Sequence, residues 1–241
     1  MNTEQEEHTV TTDLQPTHGL MGERGALMPV EWTSPGAARG RAAELVSRYR
    51  AQRREIAKNP HLDQEWAREA VRAPGLLDAV TELLGPDVAV ENTFLVIKWP
   101  GRPFVVPWHQ DGTGKNVELD PARSVAAWLA LTDAANDSGG LLIIPGSHQG
   151  GYLPVAKEPE TGASRGRADT SQGVTGAERA VPLRVRAGSA VLMDSRLVHC
   201  SGSNRSAGAR VALNIRYVAP GAIVRRNPQS PSLTPVSGSG W

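Results

Sequence analysis

The chain has a single cysteine, Cys200, among its 241 residues. That excludes an internal disulfide, a cysteine-rich zinc site and a disulfide-stapled scaffold. It also lacks a surplus of either charge: 26 basic residues stand against 25 acidic ones, a net of +1. A surface dedicated to nucleic acid or to an anionic membrane needs a basic excess, so the expected partner is a small molecule. No apolar run reaches the roughly 18 residues of a membrane span. The opening residues, MNTEQEEHTV, are acidic and lack the basic start and apolar centre of a secretory signal, so a cytoplasmic location is expected. At this length one core suffices, and all-β barrels often run as long.

What is present divides into a helical part and a strand part. Residues 1–30 are polar without an apolar period and read as a mobile arm. Ser34-Pro35 supplies an N-cap and a proline for the first helical position, and Ala42, Leu45, Val46, Tyr49 and Ile56 recur at helical spacing as far as Lys58. The arginines among them, Arg39, Arg48, Arg50, Arg53 and Arg54, read as a solvated face. Two shorter helices are expected at about 62–72 and 74–84, the second opened by Pro74 and stopped by Gly85-Pro86. From Asp87 the pattern is that of strands, at 88–98, 104–110, 124–132, 141–144, 182–185, 190–193 and 210–218. Turn signals such as Trp99-Pro100-Gly101 and Pro145-Gly146-Ser147 separate them. The reading is a mainly β fold with N-terminal helices, a sandwich or jelly roll, over residues 31–220. Residues 221–241 read as a Pro/Ser-rich tail, and 150–180, without a period, as a lid or a surface insertion.

Two segments carry chemistry. In Trp108-His109-Gln110-Asp111, a His-x-Asp on a strand points both side chains to one face, where they can converge on an ion. A third ligand must come from a strand distant in sequence, and His199 in Val198-His199-Cys200-Ser201 suits it. Two imidazoles and one carboxylate are the set that non-haem iron(II) oxygenases place on one face of the metal, leaving the opposite positions open. The spacing alone is weak, because a His-x-Asp arises often by chance.

Context strengthens it. Trp108-His109-Gln110-Asp111-Gly112, Ala127-Trp128-Leu129-Ala130-Leu131-Thr132-Asp133, Ile144-Pro145-Gly146-Ser147-His148 and Val198-His199-Cys200-Ser201-Gly202-Ser203-Asn204-Arg205-Ser206 stand in an order and spacing that resembles the phytanoyl-CoA dioxygenase family. The likeness extends through Leu76-Leu77-Asp78-Ala79-Val80 and Leu84-Gly85-Pro86-Asp87 and covers about residues 60 to 218. It implies a double-stranded β-helix of the cupin-like type, iron(II), 2-oxoglutarate as co-substrate, O2, and oxidation of an unactivated C–H bond. By position it makes His109, Asp111 and His199 the metal ligands. Arg210, eleven residues after His199, becomes the grip on the distal carboxylate of 2-oxoglutarate, and Ser201 its assisting hydroxyl. A buried carboxylate suits the two parallel donors of a guanidinium. Arg216, on the same strand face, competes for that role. Trp128, Lys98 and Asn92 fall where family members line the co-substrate side. Relatives that halogenate carry a small residue in place of the carboxylate, so Asp111 argues for hydroxylation. The primary substrate stays open, and tailoring of a natural product fits the family's range. Desaturation, epoxidation and ring formation use the same oxidant.

Neighbouring residues read more plainly. His148 sits in a turn and is expected to bond backbone. Trp108 and Trp99 read as wall or core, and Cys200 as a small packed residue. Two other classes remain: a non-catalytic jelly-roll binding module, and a cupin-like metal hydrolase or isomerase, which would need neither Arg210 nor Ser201.

Overall fold

The computed structural model describes residues 18–160, 163 and 169–241. Its first part runs α1 (His18–Arg24), β1 (Ala26–Glu31), α2 (Pro35–Tyr49), β2 (Ile56–Lys58), α3 (Glu65–Ala70) and α4 (Pro74–Leu84). Strands then dominate: β3 (Val88–Lys98), β4 (Val106–His109), β5 (Thr113–Gly114), β6 (Val117–Leu119), β7 (Ser124–Ala130) and β8 (Leu141–Ile143). They continue through β9 (Val155–Lys157), β10 (Asp169–Ser171), β11 (Val181–Pro182), β12 (Ser189–Asp194), β13 (His199–Ser201), β14 (Arg210–Val218), β15 (Ile223–Arg226) and β16 (Thr234–Ser237). Six of the seven expected strands are found, β3 and β14 to the residue; of 182–185 only Pro182 lies in a strand, with Val185 in an isolated bridge to Ala134.

The larger antiparallel sheet has the order β1-β12-β7-β14-β3-β16, with β2 also on β3; a smaller one has the order β11-β8-β13-β4. The result is a mainly β jelly roll with helices on one side. Burial explains why β7, Ser-Val-Ala-Ala-Trp-Leu-Ala, shows no polar alternation: it is buried along its whole length. Val125, Ala127 and Leu129 face outward into a core with Leu45, Trp66, Leu76 and Val80 of the helices. Ala126, Trp128 and Ala130 face inward against Leu141 and Ile143 of the smaller sheet. A sheet covered on both faces reads as continuously apolar. The Tyr217 hydroxyl, on β14, donates to the Val71 carbonyl at 3.0 Å and ties the end of α3 to this sheet.

Three expectations about the chain's organisation are corrected. The helix beginning at Pro35 stops at Tyr49, not Lys58, because the next positions on its apolar stripe are Gln52 and Arg53, and Ile56 pairs instead with Val96 of β3. Residues 18–30 are not an arm: they form α1 and most of β1, which pairs with β12 and tolerates Pro29 because it is an edge strand. Residues 1–17 lie outside the described residues. The segment 221–241 is no free tail, since β15 pairs with β6 and β16 closes the open edge of β3. The segment 150–180 contains the paired β9 and β10, anchored by the Thr170 hydroxyl on the Trp108 carbonyl at 3.0 Å. Residues 161, 162 and 164–168 of this segment lie outside the described residues.

One irregularity interrupts the pairing of the two longest strands. Along β14 and β3 the register runs evenly from Arg210↔Lys98 to Arg216↔Asn92, then shifts to Tyr217↔Val90. Glu91 is the extra residue of a β-bulge. A bulge lets two successive side chains share a face, and the contacts agree: Val90 belongs to the outer core and Thr93 bonds His61 beside it, while Glu91 reaches Arg216 on the inner face, which Asn92 shares.

Candidate active site

β4 and β13 are antiparallel neighbours, with His109 directly opposite His199. Asp111 follows two residues after His109 and turns back between the two imidazoles. Its Oδ1 is 3.8 Å from His109 Nε2 and its Oδ2 is 3.7 Å from His199 Nε2. The ligand atoms of the three residues all lie within 4.8 Å of one another. Ligands bonded at about 2.1 Å to one ion are at most about 4.2 Å apart, so the carboxylate and both imidazoles fit a shared transition metal with little movement.

The tautomers fit as well. His109 Nδ1 donates to the Pro107 carbonyl at 2.8 Å, and His199 Nδ1 donates to the Leu197 carbonyl at 2.9 Å. Each ring therefore commits Nδ1 to the carbonyl two residues upstream and turns Nε2 to the centre. Burial, reinforced by His199 and opposed by Asp111, pushes His109 down to about 4, so this imidazole is neutral at neutral pH. For Asp111, burial acts to raise the carboxyl; His199, Arg216 and His109, together with Asn214, outweigh it and hold the group down at about 2. The Asn214 amide donates to both carboxylate oxygens, at 3.3 and 3.1 Å, and Arg216 Nη2 is 3.7 Å from Oδ1.

Arg210 lies at the other end of the inner face of β14 and is 2% exposed. Its Nε and Nη2 donate to the Gly139 carbonyl at 3.1 and 2.5 Å, while the buried Nη1 has no hydrogen-bond partner. No carboxylate among the described residues pairs with it. Burial pushes the guanidinium down to about 9, which still leaves it charged at neutral pH. Three of the other expected residues gather around it. The Trp128 ring lies 5.5 Å from its Cζ. Lys98 is its cross-strand partner, and Lys98 Nζ donates to the Ser201 carbonyl at 2.8 Å, to the Ser201 hydroxyl at 2.7 Å and to the Gly202 carbonyl. Burial, with Arg210 adding to it, pushes Lys98 down to about 5.

Asn92 does not join them. It stands opposite Arg216, six residues along β3 from Lys98, or roughly 20 Å at about 3.4 Å per residue. Arg216, the competitor for Arg210, reaches two acids: its Nη1 is 3.6 Å from Glu91 Oε2, besides the Asp111 contact. Glu91 also accepts from Arg226 Nε at 2.9 Å. Asn214, Glu91 and Arg226 join the site without a motif to mark them. Period-two reading of β14 places Asn214 between the two arginines on one face; nothing in the sequence announces the bulge that turns Glu91 inward. His148 is no part of the centre, since its Nε2 donates to the Gly22 carbonyl at 3.1 Å. Cys200 is pushed up to about 11 by burial, as a packed thiol would be.

Fold and site together define a jelly-roll protein with two histidines and one carboxylate converging on a metal-sized space. The sequence profile described as phytanoyl-CoA dioxygenase (PhyH) matches residues 33–212, and the chain belongs to that family. A probable phytanoyl-CoA dioxygenase of Caenorhabditis elegans is 26% identical over 159 residues, covering 62% of this chain and 49% of that protein. A probable alpha-ketoglutarate-dependent hypophosphite dioxygenase of Stutzerimonas stutzeri is 30% identical over 171 residues, 68% of this chain and 57% of that one. The chain spans about half the length of the curated relatives it matches. Among solved structures, the apo form of ThoJ, a non-heme monooxygenase, superposes with a TM-score of 0.73 at 26% identity over 92% of this chain and 83% of that one. The alpha-ketoglutarate-dependent carbocyclase SnoK of nogalamycin biosynthesis shares the fold, with a TM-score of 0.69 at 21% identity over 91% and 94%. No helix among the described residues is long and apolar enough to cross a membrane.

Proposed function

We propose that the protein is an iron(II)- and 2-oxoglutarate-dependent dioxygenase that hydroxylates a small molecule: R–H, O2 and 2-oxoglutarate give R–OH, succinate and CO2. The observation that carries this is the pairing of two features between the facing sheets: a convergent His109–Asp111–His199 set, and a buried guanidinium with which no carboxylate among the described residues pairs. An unpaired buried cation is costly unless something anionic completes it. The distal carboxylate of 2-oxoglutarate is the right charge, and Arg210 Nη1 is the donor left for it.

In this reading His109, Asp111 and His199 hold the iron, which supplies oxygen activation when bound. The Pro107 and Leu197 carbonyls keep both imidazoles in the ligating tautomer. Asn214 and Arg216 keep the Asp111 carboxylate charged and aimed. Lys98 orients the Ser201 hydroxyl and carbonyl beside Arg210, and Trp128 walls the guanidinium from water, which strengthens its hold on a carboxylate. Asn92 takes no part at this end. Because the third protein ligand is a carboxylate and not a small residue, no position is vacated for a halide, which favours hydroxyl transfer. Natural-product tailoring remains within this reading. The fold itself is indifferent to outcome, since a carbocyclase is built on it.

The test is iron-dependent release of succinate and CO2 from 2-oxoglutarate by the reconstituted protein. Succinate that requires Fe(II) and disappears in His109→Ala is the expected result. Metal-free turnover, or failure of the Fe(II) protein to bind 2-oxoglutarate at all, would sink the assignment and leave a binding module or a hydrolase.

A further inference from the structure

The inner face of the larger sheet has a second polar end, several of whose atoms the binding of iron and 2-oxoglutarate leaves unused. Past Asp111, the bulge brings Glu91 and Asn92 together on that face, opposite Arg216 and diagonal to Asn214. Four of their atoms are buried without a hydrogen-bond partner: Glu91 Oε2, Asn92 Oδ1, Asn214 Oδ1 and Arg216 Nε. Glu91 itself is only 6% exposed. Buried polar atoms cost free energy unless something satisfies them, and a cluster of them on one wall marks where a ligand or water completes the set.

The chemistry of the cluster narrows the ligand. Glu91 offers acceptors, and Asn214 has its amide nitrogen committed to the Asp111 carboxylate, which can only accept, so the atom it turns away is the acceptor oxygen. A complementary molecule must therefore bring hydrogen-bond donors. Its charge follows from the balance on the wall: Asp111 and Glu91 are matched by Arg216 and Arg226. Neither a cation nor an anion finds an excess to pair with. Hydroxyl groups, neutral and able to donate to the acids while accepting from Arg216 Nε, satisfy both conditions.

Resting on the proposed function, we infer that this end is the primary-substrate subsite and that it takes a neutral molecule with several hydroxyl groups, of the polyol or glycoside class. Position supports it as well as chemistry. Arg210 and Arg216 are six residues apart on one strand face, roughly 20 Å, and the metal ligands lie between them, beside Asn214. The co-substrate end and this end thus flank the iron. A hydroxyl held by Asn214 Oδ1 is separated from the Asp111 carboxylate by the width of one amide, which brings the neighbouring C–H bonds close to the metal. The bulge acts here as bulges beside active sites do, by re-aiming a side chain.

The experiment uses the whole chain loaded with Ni(II) and 2-oxoglutarate, which binds without turning over. Saturation-transfer NMR is run with methyl α-glucoside and myo-inositol, and in parallel with octanoyl-CoA, a free amino acid and a quaternary ammonium salt. The expected result is binding of at least one polyol below ~10 mM, the weak end of specific recognition, and no comparable binding of the others. Asn92→Leu should weaken the polyol about tenfold, the worth of one net hydrogen bond, with the affinities for Ni(II) and 2-oxoglutarate within about twofold of the parent. Binding confined to the acyl thioester or to the charged molecules, or no binding by any of the five, overturns the inference; the panel on the unaltered protein decides this without the variant. Failure of Ni(II) and 2-oxoglutarate to bind would instead overturn the function on which it rests, so the two failures are separable.

Discussion

Two arginines six residues apart on one strand face have different environments, and the difference is a matter of partners. Arg210 has a carbonyl and an open donor; Arg216 has two carboxylates. Arg210→Ala should weaken 2-oxoglutarate by about 3–5 kcal/mol, the cost of leaving one partner of a buried ion pair behind, measured by calorimetry on Ni(II) protein. Arg216→Ala should spare that affinity, because its guanidinium is taken up by Glu91 and Asp111. The reverse pattern would exchange the two roles. A second residue-level prediction concerns acid. His61 is buried, with Nδ1 bonded to the Thr93 hydroxyl at 2.8 Å. Burial lowers its pKa below the usual 6.5; Arg72 acts the same way, and Glu91 and Asp63 oppose it. A base lowered on folding binds fewer protons folded than unfolded, so its contribution is present above pH ~6.5 and is lost as the pH falls through the folded value. Urea unfolding at pH 7.5 and pH 5 should show a smaller acid loss in His61→Asn than in the parent; equal losses would place the acid sensitivity elsewhere.

At the scale of elements, helix and sheet are brought together closely enough to exclude a methyl group. Gly75, in the first turn of α4, would place a Cβ 2.5 Å from the Glu31 carbonyl oxygen at the end of β1. Alanine is favoured over glycine in a helix by about 1 kcal/mol, yet Gly75→Ala should destabilise the protein by about 1–3 kcal/mol, because overpacking at a backbone contact cannot relax by a rotamer change. Chemical unfolding measures it, and a gain in stability would show that α4 can shift. The same scale shows what pattern reading caught and missed. β3 and β14 were legible to the residue, since Val88–Lys98 and Arg210–Val218 are long and rich in β-formers. β2, β5, β6, β9 and β10 are two or three residues long and owe their form to a partner strand, so no local period announces them.

At the scale of the molecule, the segment from 150 to 180 leans on the strand that carries His109. Gln110 accepts from Leu153 N at 2.8 Å and donates to the Gly151 carbonyl at 2.9 Å, and Thr170 bonds the Trp108 carbonyl. Fixing His109 on a metal should therefore steady this segment, and a cover that excludes water is useful to an oxidising centre. Trypsin cleavage after the exposed Lys157 and Arg179 should slow when Fe(II) and 2-oxoglutarate are added without oxygen; unchanged cleavage would make the segment a passive loop. The sequence by itself determined the ligand types, their His-x-Asp spacing, the long strands and the family, because each is written in residues near one another or in an ordered set of motifs. Only the tertiary structure decided that Asn92 sits with Arg216 and not with Arg210, that Glu91 faces inward, and that residues 26–31 and 223–237 contribute strands to the sheets. The physical reason is the same in each case. Strand register and a one-residue bulge decide which side of a sheet a residue occupies and which residue it meets, and both are settled by pairing between segments far apart in the chain.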